Sequence, residues 1–390
     1  MMIERILDLE NMLNKKSIFI FGPRQTGKTT FLKHKYPNAV YLNLLNTQLQ
    51  LELLNEPYRL NQIIETHEDD TLVIIDEIQK VPIILDEVQN IVQDNPGIRF
   101  ILTGSSARKI KKAGINLLGG RAKIITFSPF TYPEYNLAKK TLSHVLQWGT
   151  LPQVILSDDP RSELIDYINV YLREEIKAKA LVRSIAQFSK FLELAATTVS
   201  EQIVYDSLCS DVGVSAPTIK EYFQILEDTL IGYRLYPFGR TTKRKAMASP
   251  KFYLFDVGVA NALLKRFSLH EKTSEFGTAC EQYVYQELSA YINLSNKMIS
   301  LYYWRSYEKY EVDFIVELEN QQLVLIEVKS SNKITAKHLS GINAFCEEKD
   351  VTIHKKIIIC FESTKRVLPK SIIIYPFTEF LKDLWNNKII

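Results

Sequence analysis

Residues 17–36 read SIFIFGPRQTGKTTFLKHKY: an apolar run, a loop bounded by glycines and a helix-forming stretch in direct succession. The run Ser17–Phe21 is too short for a helix and stops at Gly22, which predicts a buried strand. Gly22 to Thr29 spells G-x-x-x-x-G-K-[ST], and the strand before it and helix after it give that pattern its mechanism. Backbone N–H groups of such a loop are unpaired and sit at the positive end of the helix dipole, so they can cradle phosphate. The candidate nucleotide-binding set is therefore Gly22, Pro23, Arg24, Gln25, Thr26, Gly27, Lys28, Thr29 and Thr30. Lys28 is expected to reach the β- and γ-phosphates of ATP, and the Thr29 hydroxyl to ligate Mg²⁺.

Two further apolar runs supply what the loop needs. TLVIIDEIQ (71–79) suits a central parallel strand buried on both faces. Asp76 at its end would hold Mg²⁺ through water, and Glu77 would polarise the attacking water. IRFILTGSSA (98–107) ends in small polar residues. Thr103 or Ser105 fits either a γ-phosphate sensor or a strand end followed by a helix cap. LLGGRAK (117–123) places Arg121 after two glycines, as an arginine finger in cis or across a subunit contact, or as a surface arginine. Strand and helix signals alternate across 16–130, which predicts an α/β, doubly wound parallel sheet with ligand at its carboxyl edge.

A chain of 390 residues suits two or three domains, and a net charge of +3 neither demands nor excludes nucleic acid. No apolar run is long enough to cross a bilayer, so no membrane role is expected. The four cysteines, at 209, 280, 346 and 360, lie far apart without a CxxC pair. Reduced core cysteines and a cytoplasmic location follow from that usage.

From about 160 to 235 the pattern is mostly helical. Residues 197–238 read as helix, a turn at DVGVSA, helix and strand, with Gly213 in the turn and Ser215 able to cap the second helix. IGYRLYPF and KFYLFD, flanking the basic RTTKRK (240–245), complete the layout of a helix-turn-helix with a wing. The second helix offers Lys220 but also Glu221, Glu227 and Asp228. Acidic side chains repel phosphate, so a structural or protein-binding winged helix is favoured, with DNA contact as the second choice.

Near the carboxyl end, EVDFIVELENQQLVLIEVKSS (311–331) reads as two strands joined by a polar turn. Side chains alternate along a strand, so Glu327 and Lys329 point the same way, and Asp313 on the neighbouring strand can converge with Glu327 on one divalent ion. Hard carboxylate oxygens suit Mg²⁺, and Lys329 would orient or help deprotonate a metal-bound water. Glu281, on the upstream helix TACEQYVYQELSAYI, could complete the metal shell or steady a water. A mixed edge strand with solvent-facing charges is the plainer alternative.

The D…E-x-K arrangement resembles the restriction-endonuclease-like nuclease fold. The whole chain resembles the prokaryotic AAA-type ATPases that end in a conserved domain of unknown function. The stretches carrying this resemblance run in order from GPRQTGKTT through IIDEIQKVP, RFILTGSSARKI, LLGGRAKIITFSPFTYPEY, GVSAPTIKEYFQILEDTLI and PKFYLFDVGVANALL to the 311–331 segment. It implies ATP binding on Gly22–Thr29, Asp76 and Glu77 as hydrolytic carboxylates, Arg121 in the family's glycine-arginine motif, and Asp313, Glu327 and Lys329 as a metal set. It further implies a P-loop ATPase domain (1–155), a helical and winged-helix domain (156–268) and a smaller nuclease-like α/β domain (269–390). Two departures stand out: YLNLLN (41–46) lacks the aspartate usual after the second strand, and LLGGR carries an added glycine.

Two functions follow as expectations. In the first, ATP binding and hydrolysis gate a metal-dependent carboxy-terminal nuclease acting on DNA. In the second, the chain is an ATP-dependent switch or scaffold whose nuclease-like fold only binds protein partners or nucleic acid; a homo-oligomer fits either. The convergence of Asp313, Glu327 and Lys329 discriminates between them. A dedicated transcription regulator is disfavoured by the acids at 221–228.

Overall fold

The computed structural model describes residues 3–14, 16–67, 71–106, 122–137, 139–172, 184–239 and 249–390. Arg121 and the basic segment 240–245 lie outside the described residues. The chain forms two compact units, one of Arg5–Pro129 with Asp228–Ile231, the other of Met1–Glu4, Phe130–Glu227 and Gly232–Ile390.

The amino-terminal unit is built on five strands: β1 (Ser17–Phe21), β2 (Val40–Asn43), β3 (Leu72–Asp76), β4 (Arg99–Gly104) and β5 (Ala122–Thr126). They form one sheet in the order β2-β3-β4-β1-β5, every pairing parallel. The runs SIFIF, LVII and FIL are apolar at successive positions because a central parallel strand is covered on both faces. Phe19, Phe21, Val73, Ile75, Phe100 and Leu102 share one core cluster with Ile84, Leu85, Val88 and Ile91 of helix Ile84–Asp94. β3 is shorter than the apolar run that predicts it. It stops at Asp76 because Glu77 takes a left-handed conformation (φ 63°, ψ 42°) and a tight turn, Ile78–Lys80, follows.

In the second unit, helices Tyr205–Val212 and Ala216–Asp228 are joined through Gly213, whose φ of +79° favours glycine. An antiparallel hairpin follows, β6 (Gly232–Leu235) with β7 (Lys251–Leu254). Phe223 of the second helix packs edge-on against Phe191 and Phe252, with centroids 4.9 and 5.1 Å away. Two of the charges on that helix are engaged within the fold: Glu227 receives the Arg234 guanidinium, and Lys220 lies over the Tyr205 ring at 5.5 Å.

The remaining strands, β8 (Ser300–Arg305), β9 (Glu311–Glu317), β10 (Leu323–Val328), β11 (Ile353–Cys360), β12 (Arg366–Leu368) and β13 (Ile372–Pro376), form a mixed sheet ordered β12-β13-β11-β10-β9-β8. β8, β9 and β10 are antiparallel neighbours, whereas β10, β11 and β13 run parallel. Helix Ser274–Leu294 shares a core with Val324, Ile326 and Val328, while Ile342 and Phe345 of helix Ser340–Glu348 share another with Leu323 and Leu325. That alternation is the period-two signature of a strand covered on both faces.

Most of the segment 156–268 shares one compact unit with 269–390, Asp228–Ile231 being grouped with the other. The reason is a polar seam that their sequences do not advertise. The Gln282 side-chain amide accepts from Leu254 N (3.0 Å) and donates to Leu254 O (2.6 Å), so it satisfies a backbone position of β7. Gln286 accepts from Val257 N, and Tyr253 stacks on Tyr285 at 4.1 Å.

Candidate functional site

The glycine loop leaves β1 and enters helix Lys28–Lys35 through Gly27, whose φ is 90°. Gln25 is also left-handed, at φ 62°. A Cβ on Gly22 would fall 2.3 Å from the Phe127 carbonyl oxygen, so only glycine lets the loop lie this close to the strand beside it. Lys28 is buried and turned back over its own loop, donating to the carbonyls of Gly22 (2.7 Å) and Pro23 (2.8 Å). Thr26 donates to the Pro23 carbonyl at 2.9 Å, while Arg24, Thr29 and Thr30 are exposed.

Asp76 is the centre of this site. Its Oδ2 accepts from the Thr29 hydroxyl at 2.9 Å and from Tyr41, and its Oδ1 accepts from Thr103. Strand order explains the convergence. β4 lies between β1 and β3, with Ile20 opposite Thr103 and Ile75 opposite Leu102, so the next step of the ladder sets Thr103 beside Asp76. Tyr41 pairs with Ile74, two residues before Asp76 and on the same face, and its ring spans the gap. Ser105 takes a different position from Thr103: it accepts from Gln79 Nε2 at 3.3 Å, and the same amide group donates to Glu77. In the sequence Thr103 and Ser105 are equivalent candidates, and no local motif marks Tyr41, Gln79 or Arg5. Arg5 donates to the carbonyls of Thr26 (2.9 Å) and Ser128 (2.8 Å) and lies over the Phe127 ring.

These residues fit a nucleotide with its Mg²⁺. The pair expected to hold the ion, Thr29 and Asp76, is already within hydrogen-bonding distance, and the cradle leaves no space for a Cβ at Gly22.

A second cluster lies in the other unit. Asp313 and Glu327 face each other across β9 and β10, since Phe314 pairs with Ile326 in the antiparallel register. Asp313 Oδ2 accepts from Val328 N at 2.8 Å, and Lys329 Nζ bonds Glu327 Oε1 at 2.5 Å. The Asp313, Glu327 and Lys329 side chains are thus drawn together. Glu327 Oε2 is buried without a hydrogen-bond partner. Burial and the nearby Asp313 push the Glu327 carboxyl up to about 8. Lys329 is held above its ordinary value; burial opposes this, and Asp313 and Glu327 outweigh it.

Glu281 is engaged by a protein cation and a hydroxyl. Its Oε1 accepts from Lys251 Nζ (2.9 Å) and from the Tyr253 hydroxyl (2.7 Å), and burial raises its carboxyl to about 7 against the opposing charge of Lys251. Lys251 comes from β7, some sixty residues before Asp313, and no local motif announces it. Among the described residues no group of three His, Cys, Asp or Glu side chains is arranged to hold a metal ion. A divalent ion here would rest on Asp313 and Glu327, and the unpartnered oxygen of Glu327 is the observation that fits one.

Residues 14–136 match the model of an AAA domain. The amino-terminal segment accordingly resembles an AAA domain. Residues 139–270 and 276–380 match two domains of unknown function, DUF8612 and DUF4143. An uncharacterized protein of Methanocaldococcus jannaschii, MJ1637, is 26% identical over 389 residues, covering 85% of this chain and 79% of its own. Another from Mycobacterium tuberculosis, Rv2008c, is 24% identical over 314 residues, covering 78% and 68%.

Among solved structures, an STAND ATPase with a tetratricopeptide repeat sensor from Pyrococcus horikoshii is 15% identical with a TM-score of 0.27. That match covers 74% of this chain, which spans about half (48%) of the archaeal protein. The ADP form of Aeropyrum pernix ORC2 is 14% identical with a TM-score of 0.32, covering 64% of this chain and 88% of that one. Neither superposition is close enough to carry a functional argument. No described helix is long and apolar enough to cross a membrane.

Proposed function

We propose that this chain binds and hydrolyses ATP at the amino-terminal loop and uses the nucleotide state as a switch. The observation that carries the reading is the Asp76 carboxylate, fixed by Thr29, Tyr41 and Thr103 at the carboxyl end of β3 and followed directly by Glu77. Loop N–H groups and Lys28 would bind the phosphates, and Thr29 and Asp76 would hold the accompanying Mg²⁺. When bound, that ion neutralises charge on the phosphates. The hydroxyls on Asp76 keep it oriented, and Glu77 orients the attacking water and draws off its proton. Arg121 is assigned as the cation that meets transition-state charge.

The test is Mg²⁺-dependent phosphate release by the purified full chain, beside Asp76→Asn. Turnover in the variant should fall by about 100-fold or more, because metal-assisted charge stabilisation is worth several kcal/mol. A wild-type chain that binds ATP but releases no phosphate would overturn the hydrolytic reading.

A second reading adds metal-dependent cleavage of DNA at Asp313, Glu327 and Lys329, gated by the nucleotide. The buried, unpartnered Glu327 oxygen favours it. Supercoiled plasmid incubated with Mg²⁺ or Mn²⁺, with and without ATP, should be nicked by wild type and not by Glu327→Ala. An intact plasmid under every condition, with ATP hydrolysis preserved, leaves the switch reading alone. The helix-turn-helix and hairpin are then assigned to protein docking as a winged helix, since Glu227 and Lys220 are already engaged within the fold.

A further inference from the structure

Lys251 is the least expected charge in the carboxy-terminal cluster. Its side chain is 2% exposed, and burying an ammonium is costly unless carboxylates compensate it. Here the compensation is threefold: Lys251 Nζ lies 2.9 Å from Glu281 Oε1, 3.7 Å from Asp313 Oδ1, and in an ion pair with Glu311. The Tyr303 ring sits 5.7 Å away, and Arg305 reaches the far oxygen of Glu311 at 3.5 Å. The opposite edge of the cluster is built differently. There Lys329 takes only one oxygen of Glu327, and the other is buried with no partner.

The cluster thus has two sides. One is filled by a protein cation from β7; the other presents an unpaired carboxylate oxygen. Asp313 bridges them, with Oδ1 toward Lys251 and Oδ2 on the Val328 amide.

We infer that Lys251 is a resident cation of the cluster, occupying the Glu281–Glu311–Asp313 side in place of a divalent ion and confining any metal ion to the Glu327 side. This rests on the second reading above for the Glu327 side, but the occupancy of the lysine side is separable from it. A divalent ion entering beside Lys251 would meet a like charge already seated among its would-be ligands. Because Lys251 is carried by the hairpin that follows the helix-turn-helix, the hairpin itself sets how many ions the cluster accepts.

The experiment is Mn²⁺ binding to the full chain without nucleotide, followed by calorimetry and by the electron paramagnetic resonance of free Mn²⁺. Ions are assigned to this cluster if Asp313→Asn or Glu327→Gln removes them. Wild type should bind no more than one such ion. Lys251→Met should bind one more than wild type, or bind the same ion roughly tenfold tighter or better. Lys251→Arg, which keeps the charge, should count like wild type.

Two ions in wild type would overturn the inference, as would equal stoichiometry and affinity in wild type and a Lys251→Met variant that melts cooperatively. The wild-type count stands even if Lys251→Met fails to fold. If wild type binds none and Lys251→Met binds one, the lysine alone fills the cluster: the inference holds while the cleavage reading fails.

Discussion

Replacing Lys28 with alanine should lower the affinity for ATP by about 100-fold or more. Hydrogen bonds to charged groups are worth about 1.5–3 kcal/mol each, and a 100-fold loss of affinity corresponds to about 2.8 kcal/mol, within that range. Lys28 also bonds the carbonyls of Gly22 and Pro23, so its removal loosens the loop as well as deleting the charge. Titration of a fluorescent ATP analogue measures the loss, and a thermal melt separates it from unfolding. The side chain lies at a helix start and bonds its own loop, so the fold should survive. A change below tenfold in a folded variant would mean that nucleotide is held elsewhere.

Glu77→Gln should leave ATP binding within a few-fold of wild type while turnover falls by about 10²- to 10⁴-fold, the usual contribution of a positioned general base. Glu77 is held at φ 63°, a conformation that costs a non-glycine residue of order 1–3 kcal/mol and persists where surrounding structure enforces it. Its carboxylate is aimed by Gln79, which is itself confined: a Cβ on Gly104 would meet the Gln79 Oε1 atom at 2.2 Å. Single-turnover phosphate release, with binding measured in parallel, distinguishes a lost base from a lost site. Unchanged turnover would remove Glu77 from the mechanism and point to another group for the attacking water.

The two sites were legible to different degrees, for a physical reason. The glycine loop and the Asp76–Glu77 pair are local: each is a few consecutive residues whose backbone conformation and polarity suffice to define it, bracketed by apolar runs that can only be buried strands. Asp313, Glu327 and Lys329 were nearly as accessible, because one antiparallel turn brings Asp313 opposite Glu327 and strand alternation fixes the side of each. Glu281 was correctly placed on its helix, but its partners were not foreseen, since Lys251 and Tyr253 belong to a strand about thirty residues away.

By itself, then, the amino-acid sequence determined the glycine loop, the strand bearing Asp76, the two helices joined at Gly213 with the hairpin after them, and the pairing of two carboxylates near the carboxyl end. Only the tertiary structure decided the rest. It inserted β4 between β1 and β3, so that Thr103 rather than Ser105 holds Asp76. It brought Tyr41 from the edge strand to the same carboxylate and sent Lys251 into an acidic cluster from another segment. Strand order and helix-to-strand contacts are chosen by packing over the whole unit, where one buried ammonium or hydroxyl is satisfied by whichever carboxylate the fold sets beside it. Neighbouring residues carry no trace of that choice.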